Sequence, residues 1–281
     1  LPVDTDDIIS FLEEKERKEG TLPELLKFYQ QLLRVQSQAE RKLSSRLEPS
    51  LSREAINKRI DNGVPLISFN ELALDRQLLA ATFDEVKAVF TSHADLFSSS
   101  HERLGKLEAD ALLTGQVLKP WFEKQKLPAK IPIKNVDKKL LNSIIHATMR
   151  PLLTSHARKL IDFIDQERWR RSYCPICGGS PDFASLDAER GSRWLICSRC
   201  DTEWVFQRLQ CPYCNTQDQN DLSYLTDDTG QYRLYTCERC HQYLKTIDLR
   251  QTGEQVILLP VERLLTLDMD RQAIEMGYKP H

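Results

Sequence analysis

Eight cysteines constrain this chain more than any other feature. All of them lie between Cys174 and Cys240, and all fall into C-x-x-C pairs: Cys174/Cys177, Cys197/Cys200, Cys211/Cys214 and Cys237/Cys240. Such a knuckle turns tightly enough for both sulfurs to reach one ion, and its backbone N–H groups can donate to them. Two knuckles supply four thiolates, the tetrahedral set that suits zinc or a single iron. An even cysteine count also fits a disulfide framework, but those frameworks belong to short secreted chains. Here the 173 residues before Cys174 contain no cysteine, and the acidic start, Leu1 to Asp7, lacks the basic and apolar regions of a signal peptide. A metal-binding protein of the cytoplasm is the expectation.

The cysteine region repeats itself. Cys174-Pro175-Ile176-Cys177 returns 37 residues later as Cys211-Pro212-Tyr213-Cys214. The run from Arg193 to Cys200 returns 40 residues later as Arg233 to Cys240, each a strand-like stretch leading into Cys-x-Arg-Cys. Each unit therefore carries a full ligand set: Cys174, Cys177, Cys197 and Cys200 for one site, Cys211, Cys214, Cys237 and Cys240 for the other. An exchange of knuckles between units is compatible with the same spacings and stays open at this point. So does the plainest reading of all, two structural zinc ions that only staple a small core.

Around this module the texture is helical. Apolar residues recur at helical spacing through Leu22–Leu47, after a capping box at Thr21 and Glu24. A break follows at Glu48-Pro49-Ser50, then a short helix from Ser52 to Asp61 closed by Asn62-Gly63. Further helices are predicted over Leu74–Phe90, over Leu104–Leu118 ending at Pro120, and over Asp137–Trp169 with a kink or restart at Pro151. Beyond Tyr173 short antiparallel strands are predicted at 193–196, 204–209, 222–225, 232–236 and 243–247, with hairpin turns at Arg190–Ser192 and Asp228–Gly230. A last helix is predicted over Leu264–Met276.

Charge narrows the functional classes. Residues 119–171 carry +8, whereas 1–118 and 172–281 carry −5 each. The cysteine module is thus acidic before its thiolates are counted, which disfavours nucleic-acid binding through it. No run of 18 apolar residues is present for a membrane span. The six histidines form no HExxH pair, no Gly-rich phosphate loop occurs, and no cysteine is spare as a nucleophile. His241 follows Cys240 directly and is read as a surface residue outside the ligand set. No catalytic residue is assigned.

The residues resemble one known family, that of the formate dehydrogenase accessory proteins (FdhE). The likeness lies in Tyr173–Gly178, in Cys197–Trp204 with its Thr-Glu-Trp ending, in Arg208 and Cys211–Cys214, in Cys237–Asp248 with its Tyr-Leu-Lys, and in Leu267-Asp268 to Gly277-Tyr278. The resemblance implies an α+β, multidomain chain. A helical domain (1–171) is followed by two tandem rubredoxin-like or zinc-ribbon-like units (172–209 and 210–250) and a C-terminal extension with a short helix (251–281). It implies a cytoplasmic assembly factor rather than an enzyme, one that assists maturation of respiratory formate dehydrogenases by contacting their catalytic subunit. It also implies two bound metal ions, iron before zinc. Membrane insertion and nucleic acid are not expected, and self-association stays open. Two other classes remain: an iron–thiolate electron-transfer module, and a zinc-ribbon regulator that binds nucleic acid.

Overall fold

The computed structural model describes residues 5–19, 23–44, 51–97, 101–131, 133, 136–252 and 258–281. The expected capping residue Thr21 and the break at Glu48–Ser50 lie outside the described residues, as do Leu22 and Leu47. The chain forms two compact bodies, and neither is continuous in sequence. One gathers residues 67–156 with the N-terminal helices; the other gathers residues 50–66 with 157–281.

The first body is helical. It holds α1 (Thr5–Glu19), α2 (Glu24–Ser44), α4 (Arg76–Ser92), three short helices α5 (His101–Gly105), α6 (Ala109–Leu112) and α7 (Gly115–Lys124), and most of α8 (Lys138–Leu160). Phe28 of α2 meets Phe90 of α4 and Phe97 edge-on at 5.0 Å each, which ties the two helices together. His93, at the end of α4, is held from both ring nitrogens, by Glu24 and by Gln31. The expected single helix over 104–118 is instead α5, α6 and part of α7, and Pro120 lies inside α7 rather than ending it.

α8 also continues as a helix through its proline without a restart, and the reason is visible. A proline in a helix interior has no N–H for the carbonyl four residues back. At Pro151 that carbonyl belongs to Ala147, and the Gln36 side-chain amide donates to it at 2.9 Å. The Gln36 carbonyl oxygen in turn accepts from Arg150 at 2.9 Å. A partner from α2 thus supplies the missing bond, so the helix needs no break.

The second body is built on one six-stranded sheet. Its strands are β1 (Pro181–Leu186), β2 (Arg193–Cys197), β3 (Glu203–Phe206), β4 (Leu222–Thr226), β5 (Tyr232–Cys237) and β6 (Gln242–Asp248), in the order β3-β2-β1-β6-β5-β4. Each duplicated unit contributes three antiparallel strands, as the sequence predicts except for β1, which it does not signal. The units join through a parallel pairing of β1 with β6, Phe183 opposite Lys245 through Leu186 opposite Asp248. Strands expected to be wholly antiparallel therefore include one parallel seam. Gly191 and Gly230, at φ +64° and +73°, take the left-handed positions of the two hairpin turns.

Helix α3 (Arg53–Asn62) packs with the sheet body rather than with the other helices. Ser52 caps its start, and Gly63 closes it at φ +66°. From there Leu66 N–H donates to Pro175 O at 2.9 Å, and Tyr173 donates to Gly63 O at 2.7 Å, fixing the helix beside the first knuckle.

At the C-terminal end two helices, α9 (Leu259–Leu265) and α10 (Leu267–Glu275), replace the single expected one. Thr266 ends the first and begins the second. At this junction the buried Lys245 ammonium donates to Arg263 O at 3.1 Å and Thr266 O at 3.4 Å and pairs with Asp270 at 2.6 Å. Ala273 and Tyr278 then pack on Leu234 and Tyr243 of the second unit. Arg263 reaches the first unit, pairing with Asp182 at 2.8 Å and with Asp201, and donating to Cys197 O at 3.0 Å. Burial alone would lower its basicity, but the two aspartates raise it further above its ordinary range.

Removing Arg263 takes the charge partner from the enclosed Asp201 and the donor from Cys197 O, while Asp182 is exposed to water. Arg263→Met is expected to destabilise the sheet body by about 2 kcal/mol. Urea unfolding followed by tryptophan fluorescence measures this, since three of the four tryptophans (Trp169, Trp194 and Trp204) lie in that body. An unchanged midpoint would show that the clamp is idle.

Candidate metal centres

Each knuckle is closed by the same backbone device. The N–H of the residue after the second cysteine donates to the carbonyl of the first: Gly178 to Cys174, Asp201 to Cys197, Asn215 to Cys211 and His241 to Cys237, at 2.8–3.3 Å. All four closing residues are left-handed, with φ of +70°, +53°, +60° and +53° in that order. Gly, Asp, Asn and His are the types that tolerate this conformation best. His241 is therefore explained as a knuckle closer, outside the sulfur cluster.

The knuckles bring the sulfurs together as adjacent pairs. Cys174, Cys177, Cys197 and Cys200 form one group and Cys211, Cys214, Cys237 and Cys240 the other, the ligand atoms of each lying within 4.8 Å of one another. In the first group Sγ–Sγ separations are 3.6 Å for Cys174–Cys200 and 3.5 Å for both Cys177–Cys197 and Cys177–Cys200. In the second they are 3.7 Å for Cys211–Cys240 and 3.6 Å for Cys214–Cys237. A tetrahedron with metal–sulfur bonds of about 2.3 Å has edges of about 3.8 Å. The cages fit one ion each, and all eight cysteines are free of disulfides.

Further details match a thiolate cage. Backbone N–H groups of Ile176, Arg199 and Tyr213 approach Cys174, Cys197 and Cys211 Sγ, at 3.4 Å each. The Thr202 hydroxyl lies 3.0 Å from Cys200 Sγ. At Gly179 an added Cβ would come 2.9 Å from Cys197 Sγ and 3.2 Å from Cys177 Sγ, so only glycine leaves the sulfurs room.

Without metal the cages are poor places for charge. Burial pushes the Cys174 and Cys200 thiols well above their ordinary range, while hydrogen bonds from its sulfur neighbours, Cys174 foremost, hold Cys177 well below. In the second cage burial pushes Cys211 up to about 11 and also raises Cys240. Thiols raised in this way are protonated at neutral pH, so metal uptake releases protons and weakens as pH falls.

The two cages differ in access. Every cysteine of the first is buried, whereas Cys214 and Cys240 of the second are only half-buried. Solvent and a chelator reach the second more readily. A zinc-loaded chain is expected to release metal to excess chelator in two phases, the second site at least about tenfold faster. Stopped-flow absorbance with a colorimetric chelator reads this, and Cys240→Ser should remove the fast phase alone. Loss of the slow phase instead would reverse the assignment.

A family model, the FdhE central domain, matches residues 173–208, the first unit. A protein FdhE homolog of Aquifex aeolicus is 25% identical over 259 residues, covering 91% of this chain and 85% of its own length. A protein FdhE homolog of Shewanella oneidensis is 32% identical over 139 residues, so the chain spans 45% of that relative's length. The crystal structure of the FdhE protein from Pseudomonas aeruginosa aligns with a TM-score of 0.55 over 91% of this chain and 86% of its own, at 21% identity, which speaks to the fold. Family model and relatives thus converge on a likeness to the FdhE family, and the solved structure shows a similar fold.

Proposed function

We propose that this chain is a cytoplasmic accessory factor for formate dehydrogenase maturation. In this reading it holds two metal ions through its eight cysteines, with iron in the cell, and binds the catalytic subunit of its client. The observation that carries the reading is the pair of tetrahedral sulfur cages within an FdhE-like fold. The metals' chemistry, when bound, is that of tetrathiolate ions, able to accept either iron or zinc. The chain's own part is to fix the sulfurs, through left-handed knuckles and backbone N–H donors, and to present the surface around them. The segment boundaries at 171, 209 and 250 are part of the same proposal.

An electron-transfer module is a second reading, favoured by one feature, the half-buried sulfurs Cys214 and Cys240 of the second cage. Among the described residues no helix is long and apolar enough to cross a membrane.

The test is recovery of a tagged formate dehydrogenase catalytic subunit with the metal-loaded chain, beside Cys237→Ser. Recovery by the intact chain and at least about tenfold less by the variant is expected, since loss of a cage ligand unfolds its unit. No recovery by the intact chain would remove the accessory reading. A ferric–thiolate absorption spectrum in protein isolated from cells decides for iron, and a colourless zinc form against it.

A further inference from the structure

The duplication exposes a charge that one unit neutralises and the other does not. Arg233 and Arg193 occupy matching positions, four residues before Cys237 and Cys197. In the second unit Arg233 pairs with Asp248 at 2.6 Å, and that aspartate is fully buried. The position that matches Asp248, eight residues after the unit's last cysteine, is Arg208 in the first unit. Arg193 therefore faces a like charge where its counterpart finds a carboxylate. It is only 3% exposed, yet no carboxylate among the described residues pairs with it or with Arg208. Among the described residues it donates to Gln210 O at 3.1 Å, and its Nε is buried without a partner. Burial lowers its basicity, Tyr235 opposing this and Arg208 adding to it.

Both arginines line a groove of about 570 Å³ over the second unit's sheet. Its floor includes Tyr224, Tyr235 and Leu244, with Leu209 at its rim. The guanidinium of Arg193 lies 4.4 Å above the Tyr235 ring, whose hydroxyl is also buried and unpartnered. Tyr224 is 50% exposed and Leu209 is 62% exposed.

The first unit shows what such a face accepts. Leu195 and Trp204, which match Tyr235 and Leu244, are fully buried. The chain just before the unit covers them: Trp204 donates to Arg171 O at 2.8 Å, and Gln166 accepts from Val205 N–H at 3.0 Å. That stretch, 166–171, runs from eight to three residues before Cys174 and includes the fully buried Trp169. The equivalent stretch before Cys211 is 203–208, most of which is strand β3. Fusing the units into one sheet spends the second unit's cover as a strand: Leu244 stays buried, but Tyr235 is only partly covered and Tyr224 and Leu209 are exposed.

We propose that this groove binds an extended acidic segment of a partner polypeptide. An aromatic or large aliphatic side chain rests on Tyr224, Tyr235 and Leu209, and a carboxylate stands beside Arg193 and Arg208, as Asp248 stands beside Arg233 in the other unit. Charge-assisted pairing of this kind is the strong form of hydrogen bond, and the groove is of ordinary ligand size. Naming the occupant a polypeptide rests on the accessory-factor reading; the charge and shape do not.

The test is calorimetric titration of the metal-loaded full chain with the blocked peptide Glu-Leu-Trp-Asp-Glu, and with Lys-Leu-Trp-Lys-Lys as its opposite. Saturable binding of the acidic peptide alone is expected, weakened at least about tenfold by Arg208→Glu and by Leu209→Asp with metal content unchanged. Both variants alter rim positions, so their folding is not at risk as that of Arg193→Met is. Equal binding of both peptides, no binding of the acidic one, or acidic binding indifferent to both substitutions would overturn the proposal. So would an Arg193→Met variant that loses metal affinity and keeps the acidic peptide, since Arg193 would then serve the thiolate cage. Client recovery by groove variants that bind no peptide would leave the accessory reading standing without the groove. Peptide binding with no client recovered by any form would leave the groove standing without that reading.

Discussion

Four sulfurs held at about van der Waals distance in a nearly dry cage are the constraint on which the sheet body depends. Such a set is unstable by itself: protonated, it crowds four thiols together, and ionised, it concentrates negative charge that burial opposes. A divalent ion resolves both difficulties. The backbone anticipates it, since all four knuckles close through the same left-handed residue and the same N–H to carbonyl bond. Short strands such as β3, of four residues, bury little on their own, so the cages stand in for a larger core.

Joining the two cages into one sheet has consequences at each end. The units repeat head to tail, with β1 of the first against β6 of the second, rather than about a two-fold axis. One sheet face is covered by α9 and α10, with Lys245 and Arg263 supplying the polar links. On the other face Leu195 and Trp204 of the first unit are fully buried, whereas the second unit leaves Tyr235 partly covered and Tyr224 exposed. A duplicated sequence thus yields two unequal sites: one cage wholly buried, the other half open beside an uncovered groove.

Much of this was legible in the sequence, because cysteine spacing is a strong local signal. The sulfur groups follow the knuckle spacing, and α3, α4 and five of the six strands lie near their predicted places. β1 escaped notice because Pro-Asp-Phe-Ala-Ser-Leu has neither alternation nor a β-branched run, and its partners come from both units. The restart allowed for at Pro151 does not occur, because the freed carbonyl is satisfied by Gln36, more than a hundred residues away. The packing of α3 was not legible because its partners, Tyr173 and Pro175 at its end and Arg168 on its Asn57 and Asp61, lie more than a hundred residues further on. The closing residues Gly178, Asp201, Asn215 and His241 are a signal that was present: four residue types at one knuckle position, all tolerant of positive φ.

The central claim is that the eight cysteines form two independent tetrathiolate sites. X-ray absorption at the metal edge, with metal quantified per chain on the intact protein, tests it most directly. The account predicts two metal ions per chain and an average first shell of four sulfurs at about 2.3 Å, without nitrogen or oxygen neighbours. A single ion per chain, or a first shell mixing sulfur with lighter atoms, would contradict it.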